Sequence, residues 1–210
     1  MNMHEHPKPS APEGVLLPTP ALAGVHHTAR PTWKLEETVH FYREVMGLDL
    51  CHAISARGWG QDEHPDFLHF FFDSGNASTI AFFYYLKNEK PMDPVPWDHW
   101  LYRAVHTAWR VEDRATMMTW KERFEAFGYD VLLVTHEVVE SIYVTDPNGY
   151  MVEIGWQLRP FTEVDSIDAA LTLEAACKYE REHGRRVETI EDIWRGKAAL
   201  VQHYTAEGTA

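Results

Sequence analysis

Cysteine is scarce in this chain: Cys51 and Cys177 are the two thiols among 210 residues. So few, so far apart, they argue against a disulfide framework or a thiolate zinc site. They fit a reducing cytoplasm, where isolated cysteines serve as packing residues. Positive charge is short as well. Nineteen Lys and Arg stand against 32 Asp and Glu, a formal net charge of −13. That deficit argues against nucleic acid or an anionic membrane as partner, because both need basic patches. Long apolar runs are missing too. "FLHFFF" and "AFFYYL" have the length of strands, well short of the roughly 20 residues of a membrane helix. The opening "MNMHEHPKPSAPEG" lacks the basic and apolar regions of a signal peptide. A soluble cytoplasmic protein is expected, with His4 and His6 in a proline-rich tail.

Aromatic residues, by contrast, are plentiful. Eight Trp, nine Tyr and ten Phe, within a 45% hydrophobic share, are ample for a folded interior. The chain also resembles itself. "HTARPTWKLEETVHFYREVMGLDL" begins at His27 and "HTAWRVEDRATMMTWKERFEAFGYDV" at His106. Each opens His-Thr-Ala, runs into a helical pattern and stops at a glycine, Gly47 or Gly128, where a C-cap is expected. The first helix gathers Thr38, Phe41, Tyr42 and Val45 on one side; the second gathers Trp120, Phe124 and Phe127. Strands follow in both. "FLHFFFD" and "STIAFFYYL" flank "DSGNA", while "SIYVTD" and "YMVEIGW" flank the turn "DPNG".

Each half therefore reads as strand, helix and two or three strands, and neither buries its sheet easily alone. The expected organisation is a flexible tail over 1–22, a first module over 23–90 and a second over 91–160. The modules would form one domain, related by a pseudo-twofold. Proline-rich "NEKPMDPVPWD" reads as the connector between them. Residues 161–210 read as a helical extension that packs or makes an oligomer, with the walling of a pocket as the alternative. One helix is capped near Asp165 or Ser166 and stopped at Gly184; another starts near Thr189.

One residue does not suit its strand. In "YMVEIGW" alternation puts Met151, Glu153 and Gly155 on one face, so a carboxylate points toward a packed interior. Such a charge is costly unless paired. The repeat offers partners: His27 and His106 hold equivalent places on two first strands. Two histidines and one carboxylate, with positions left open, suit non-haem Fe(II) or Mn(II). The equivalent last strand of the first half, "STIAFFYYL", supplies no carboxylate. Three protein ligands with room for water or substrate make a catalytic arrangement more than a structural one. A lone strand histidine is usually a satisfied core or surface residue; matched settings in the repeat raise these two. His26 has no repeat partner, faces the other side of its strand and reads as structural or supporting.

The "HTA…FYREVMGL" repeat and the ending "DPNGYMVEI" resemble the vicinal oxygen chelate superfamily of glyoxalases, bleomycin-resistance proteins and dioxygenases, over about residues 24 to 157. The resemblance implies an α+β fold of two paired βαβββ modules, a cupped, barrel-like mixed sheet around a divalent metal. Within it His27, His106 and Glu153 match metal ligands. A longer match, Val134, His136, Ile142–Tyr143, Asp146–Pro147, Gly149 and Glu153, is similar to the signature of type I extradiol ring-cleavage dioxygenases. That branch implies Fe(II), or Mn(II), with a small aromatic diol and O2 as substrates, in a homo-oligomer. It implies catalytic roles for His136 and Tyr143: Tyr143 bonding the metal-bound substrate oxygen, His136 positioning substrate. The family's acid–base histidine has a counterpart only in His99, at a closer spacing than expected. His52, His64 and His69 are further candidates for a pocket rim. Two other readings keep the fold: a glyoxalase, epimerase or thiol transferase using the metal as Lewis acid, or a bleomycin-resistance-like protein that sequesters a ligand.

Overall fold

The structure, a computed structural model, describes residues 21–58, 65–90 and 104–207. His4, His6, His64, His99 and the connector from Pro91 onward lie outside the described residues, as does most of the tail. Two compact units form, Met1–Trp97 with Asp146–Asn148, and Asp98–Thr145 with Gly149–Ala210. The chain is α+β, with a βαβββ order in each unit and two C-terminal helices, as the sequence predicts.

In the first unit β1 (His27–Pro31), β2 (Leu50–Ala56), β3 (Phe67–Gly75) and β4 (Ser78–Tyr85) form a sheet in the order β1-β4-β3-β2. β1 runs parallel to β4 and the rest antiparallel. The helix α1 (Leu35–His40) continues as a π-helical segment, Phe41–Val45. It buries Thr38, Phe41, Tyr42 and Val45, the side expected from their spacing. Tyr42 stacks on Phe72 and leans on Phe82 at 4.7 Å between centroids, so the helix covers the Phe70, Phe72, Ile80 and Phe82 face. The chain leaves the helix through Gly47, whose φ of 65° is the left-handed conformation a glycine takes cheaply. Asp146 and Asn148 of the "DPNG" turn belong to this unit. The Tyr42 hydroxyl donates to Asp146 Oδ2 at 3.1 Å. Asn148 Oδ1 accepts from Thr32 Oγ1 at 2.9 Å, and its Nδ2 donates to Thr38 Oγ1 at 2.8 Å.

The second unit repeats this topology. Its strands are β5 (His106–Val111), β6 (Leu132–Thr135), β7 (Val139–Thr145) and β8 (Met151–Gln157), in the order β5-β8-β7-β6. Helix α2 (Arg114–Ala126) starts at Asp113, whose side chain accepts from the Thr116 backbone N–H at 2.7 Å. Met117 and Phe124 are its buried residues. Phe127, expected on that side, is instead the exposed cap residue, its ring under the Arg123 guanidinium at 5.3 Å. Arg114 donates to Glu140 Oε2 at 2.6 Å, which places the helix on the Glu140, Ile142 and Val144 face of the sheet. That bond, with help from Thr135, holds the Glu140 carboxyl below its ordinary pKa.

The extension is a pair of helices, α3 (Glu163–His183) and α4 (Ile190–Glu207). The cap of α3 is Thr162, not Asp165 or Ser166; Asp165 is its reciprocal partner in a capping box and also receives Arg159 at 2.6 Å. Gly184 ends α3 with a φ of 64°. The helices approach closely where Gly196 meets Ala175: a Cβ on Gly196 would stand 3.2 Å from that of Ala175. No helix among the described residues is long and apolar enough to cross a membrane. Cys51 and Cys177, expected as packing residues, are both exposed.

Candidate metal and substrate site

Strand parity decides which side chains share the face turned away from each helix. On β8 these are Met151, Glu153 and Gly155; on β7, Ser141, Tyr143 and Thr145; on β5, His106, Ala108 and Arg110. Glu153 lies directly opposite Tyr143, with Ser141 on the diagonal. Glu153 is buried, 7% exposed, as the sequence implied. Two groups accept that burial. His106 Nε2 lies 3.2 Å from Glu153 Oε2, and the Ser141 hydroxyl donates to Glu153 Oε1 at 2.6 Å.

The other two candidates of this module also meet, in a contact the sequence did not suggest. His136 Nε2 is 2.9 Å from the Tyr143 hydroxyl, and the His106 ring stands edge-on to the Tyr143 ring at 6.5 Å. Burial raises the Tyr143 pKa above its ordinary value, and the Glu153 charge adds to the rise. The phenol is therefore a protonated donor at neutral pH. Four of the five site residues expected from the sequence thus meet in one unit.

His27 belongs to the first unit. Its ring is edge-on to Phe71 at 5.7 Å, and its Nδ1 is 2.8 Å from Nδ1 of His26, which thereby stands beside it. The same register holds here as in the second sheet: His27 pairs with Thr79 and Ala29 with Ala81, as His106 pairs with Met151 and Ala108 with Glu153. Ala81 is thus the counterpart of Glu153, and β4 offers no carboxylate. His69 occupies the place of Ser141 and Phe83 that of Gly155. Their rings stack at 3.7 Å. His69 is 4% exposed, so it is a buried residue and not the rim residue expected. Its Nδ1 donates to the Phe82 carbonyl at 3.0 Å. Burial lowers its pKa; that hydrogen bond opposes the shift, and the charges of His27 and His52 reinforce it. His52 is exposed, its ring 5.7 Å from that of Phe71.

An imidazole and a carboxylate held in contact on one open face are a fitting part-set for a divalent cation. Among the described residues no group of three His, Cys, Asp or Glu converges for one. Ser141 escaped notice in the sequence, where a strand serine is unremarkable. Its signal was alternation, which puts it on the same face as Tyr143.

A paired-module α+β fold with a histidine–carboxylate pair on an open sheet face defines the class. The model of the Glyoxalase/Bleomycin resistance protein/Dioxygenase superfamily matches residues 24–154, and the chain belongs to that superfamily. No curated protein matches it. Among solved structures, lactoylglutathione lyase from Agrobacterium tumefaciens is 22% identical, covering 64% of this chain and 94% of its own, with a TM-score of 0.46. The fosfomycin resistance protein FosX from Listeria monocytogenes is 15% identical, covering 70% and 99%, with a TM-score of 0.47. TnmS3, an antibiotic binding protein from Streptomyces sp. CB03234, is 16% identical, covering 66% and 99%, with a TM-score of 0.46.

Proposed function

We propose that the chain is a non-haem Fe(II) extradiol dioxygenase that inserts O2 into a small catechol-like diol and opens the ring beside the diol, with Mn(II) as the alternative metal. One observation carries the reading: the His136–Tyr143 hydrogen bond lies next to the His106–Glu153 pair on the same face. A histidine and a carboxylate alone would serve any Lewis-acid reaction of the superfamily. A protonated phenol joined to an imidazole adds a group that can hold an ionising substrate oxygen and move a proton.

His106, Glu153 and His27 are the proposed ligands. When bound, the metal supplies a meeting place for the diol and O2 and a path for electrons. The protein does the rest. Tyr143 donates its hydrogen bond to a diol oxygen, and His136 orients Tyr143 and takes or returns a proton through Nε2. Ala81, where a fourth carboxylate would sit, favours three ligands over the four of a glyoxalase. The protein is proposed to work in the cytoplasm as a homo-oligomer. Exposed Val164, Leu173 and Trp194 on the C-terminal helices support that assembly.

The test is anaerobic reconstitution with Fe(II), followed by oxygen-electrode assays on a panel of catechols. Oxygen uptake with at least one diol is expected. No uptake with any diol, despite bound iron, overturns the reading.

A further inference from the structure

The open face of the second sheet continues past Glu153. Gly155, next on that face, has no side chain, and beyond it lies an open cleft of about 480 Å³ lined by Arg110, Gln157, Leu158, Arg159, Pro160 and Phe161. Arg110 shares the face of His106, four residues further along β5, about 13 Å at the usual strand rise. The two arginines differ. Arg159 is committed to Asp165 through two hydrogen bonds, at 2.6 and 2.8 Å. Arg110 meets Glu112 at 3.2 Å with both side chains largely in water, a pairing of little strength. The cleft therefore offers one available guanidinium beside an apolar wall of Leu158, Pro160 and Phe161. We infer that it receives the acidic arm of the substrate, a short carbon chain ending in a carboxylate, with Arg110 as the specificity-determining residue. This rests on the proposed function and narrows its substrate to catechols bearing a carboxylated side chain.

The experiment separates the two. Calorimetry on the full chain loaded with Mn(II), without oxygen, compares 3,4-dihydroxyphenylpropionate with 4-methylcatechol. The carboxylated diol is expected to bind about tenfold tighter, as one charge-assisted hydrogen bond gives. In Arg110→Gln the ratio of affinities should collapse toward one, and in Arg110→Lys it should partly return. A third ligand, 3-phenylpropionate, has no diol; its binding to metal-free protein should weaken in Arg110→Gln. Equal affinities in the native chain, or a ratio and a phenylpropionate affinity unmoved by Arg110→Gln, overturn the inference. Failure of both diols to bind the metal-loaded protein, with Arg110-dependent phenylpropionate binding intact, overturns the function and leaves the cleft.

A different observation carries a second inference. Ser141 is fully buried, and its hydroxyl holds Glu153 Oε1 at 2.6 Å while Oε2 faces His106. Gly155 leaves the space for this. A Cβ there would stand 3.1 Å from Ser141 Oγ, 3.2 Å from Val139 Cγ2 and 3.6 Å from Glu153 Oε1. The geometry points to Ser141 as a positioning residue that fixes which carboxylate oxygen is offered to the metal, with Gly155 keeping its hydroxyl in place. Mn(II) affinity, read from the free-ion electron paramagnetic resonance signal, is expected to fall at least tenfold in Ser141→Ala. Gly155→Ala, which keeps the hydroxyl but displaces it, should act in the same direction. Adding Ser141→Ala to Glu153→Gln should cost nothing more. Native affinity in both single variants overturns the role, as does an undiminished effect on the Glu153→Gln background. Native affinity in Glu153→Gln itself overturns the ligand assignment instead.

Discussion

His106 and Glu153 face each other at 3.2 Å, Nε2 to Oε2, from neighbouring parallel strands. The register offsets them by one pleat, since His106 pairs with Met151 and Glu153 with Ala108. The histidine is the more exposed partner, with 38% of its side chain open against 9% for the glutamate. The buried carboxylate thus meets solvent-side ligands through the imidazole edge, which is where a cation would share both groups.

Removing either group should remove the metal without unfolding the sheet. His106→Ala and Glu153→Ala are each expected to take bound Fe(II) or Mn(II) from stoichiometric to negligible, measured by elemental analysis after desalting. The far-ultraviolet circular dichroism should match that of the native chain, because the β7–β8 ladder and the Ile142–Ile154 side of the sheet are untouched. Undiminished metal content in both variants removes the pair from the site.

A substitution at Tyr143 tests the proposed catalysis apart from metal binding. Tyr143→Phe deletes the hydroxyl that meets His136 at 2.9 Å and keeps the ring that stands against His106. Metal content should be unchanged, while kcat falls about 10²-fold or more, the usual range for losing a proton-handling group. A parallel drop in His136→Gln would show that the two act as a unit. Unchanged turnover in Tyr143→Phe excludes it from the chemistry.

Much of this was legible in the sequence, for physical reasons that also mark its limits. The self-match at His27 and His106 fixed two equivalent first strands, and alternation around Glu153 identified a carboxylate on an inward face. Gly47, Gly128 and Gly184 end their helices with φ values of 65°, 83° and 64°, a conformation most other residues resist. Tertiary relations were less visible. Phe127 lies at the right spacing for a buried face, but α2 ends before it and Arg123 covers its ring. Thr162 caps α3 because Asp165 can reach back to it; the sequence offered Asp165 and Ser166 equally well as caps. His69 looked like any strand histidine until its partner strand placed Phe83 against it.

The "DPNG" turn helps hold the first unit together. Asn148 satisfies two buried threonines, bonding Thr32 and Thr38 at 2.9 and 2.8 Å, and also receives the Trp33 backbone N–H at 3.3 Å. Asn148→Ala leaves these groups short of partners, at about 1–3 kcal/mol for each buried group left unmet. Because Thr32 and Thr38 can still bond each other at 2.8 Å, a net loss of about 2 kcal/mol is expected. Chemical denaturation should show a lower midpoint with an unchanged slope. A loss below about 0.5 kcal/mol, the range of an ordinary surface substitution, would contradict this bracing role.

His69 should make the first unit sensitive to mild acid. Its folded pKa lies below the ordinary 6.5, chiefly through burial, so between the two values the unfolded chain binds more protons than the folded one. Stability then rises with pH across that window and is lost as pH falls from about 6.5 toward the folded value. The charges of His27 and His52 act on His69 in the same direction as burial. His69→Phe keeps an aromatic ring against Phe83 and removes the titrating group, although the Phe82 carbonyl loses its donor. The variant should therefore be less stable at pH 8 yet lose less stability between pH 7 and pH 5 than the native chain. Denaturation midpoints measured across that range decide it: parallel curves for the two proteins would assign the acid sensitivity to other groups.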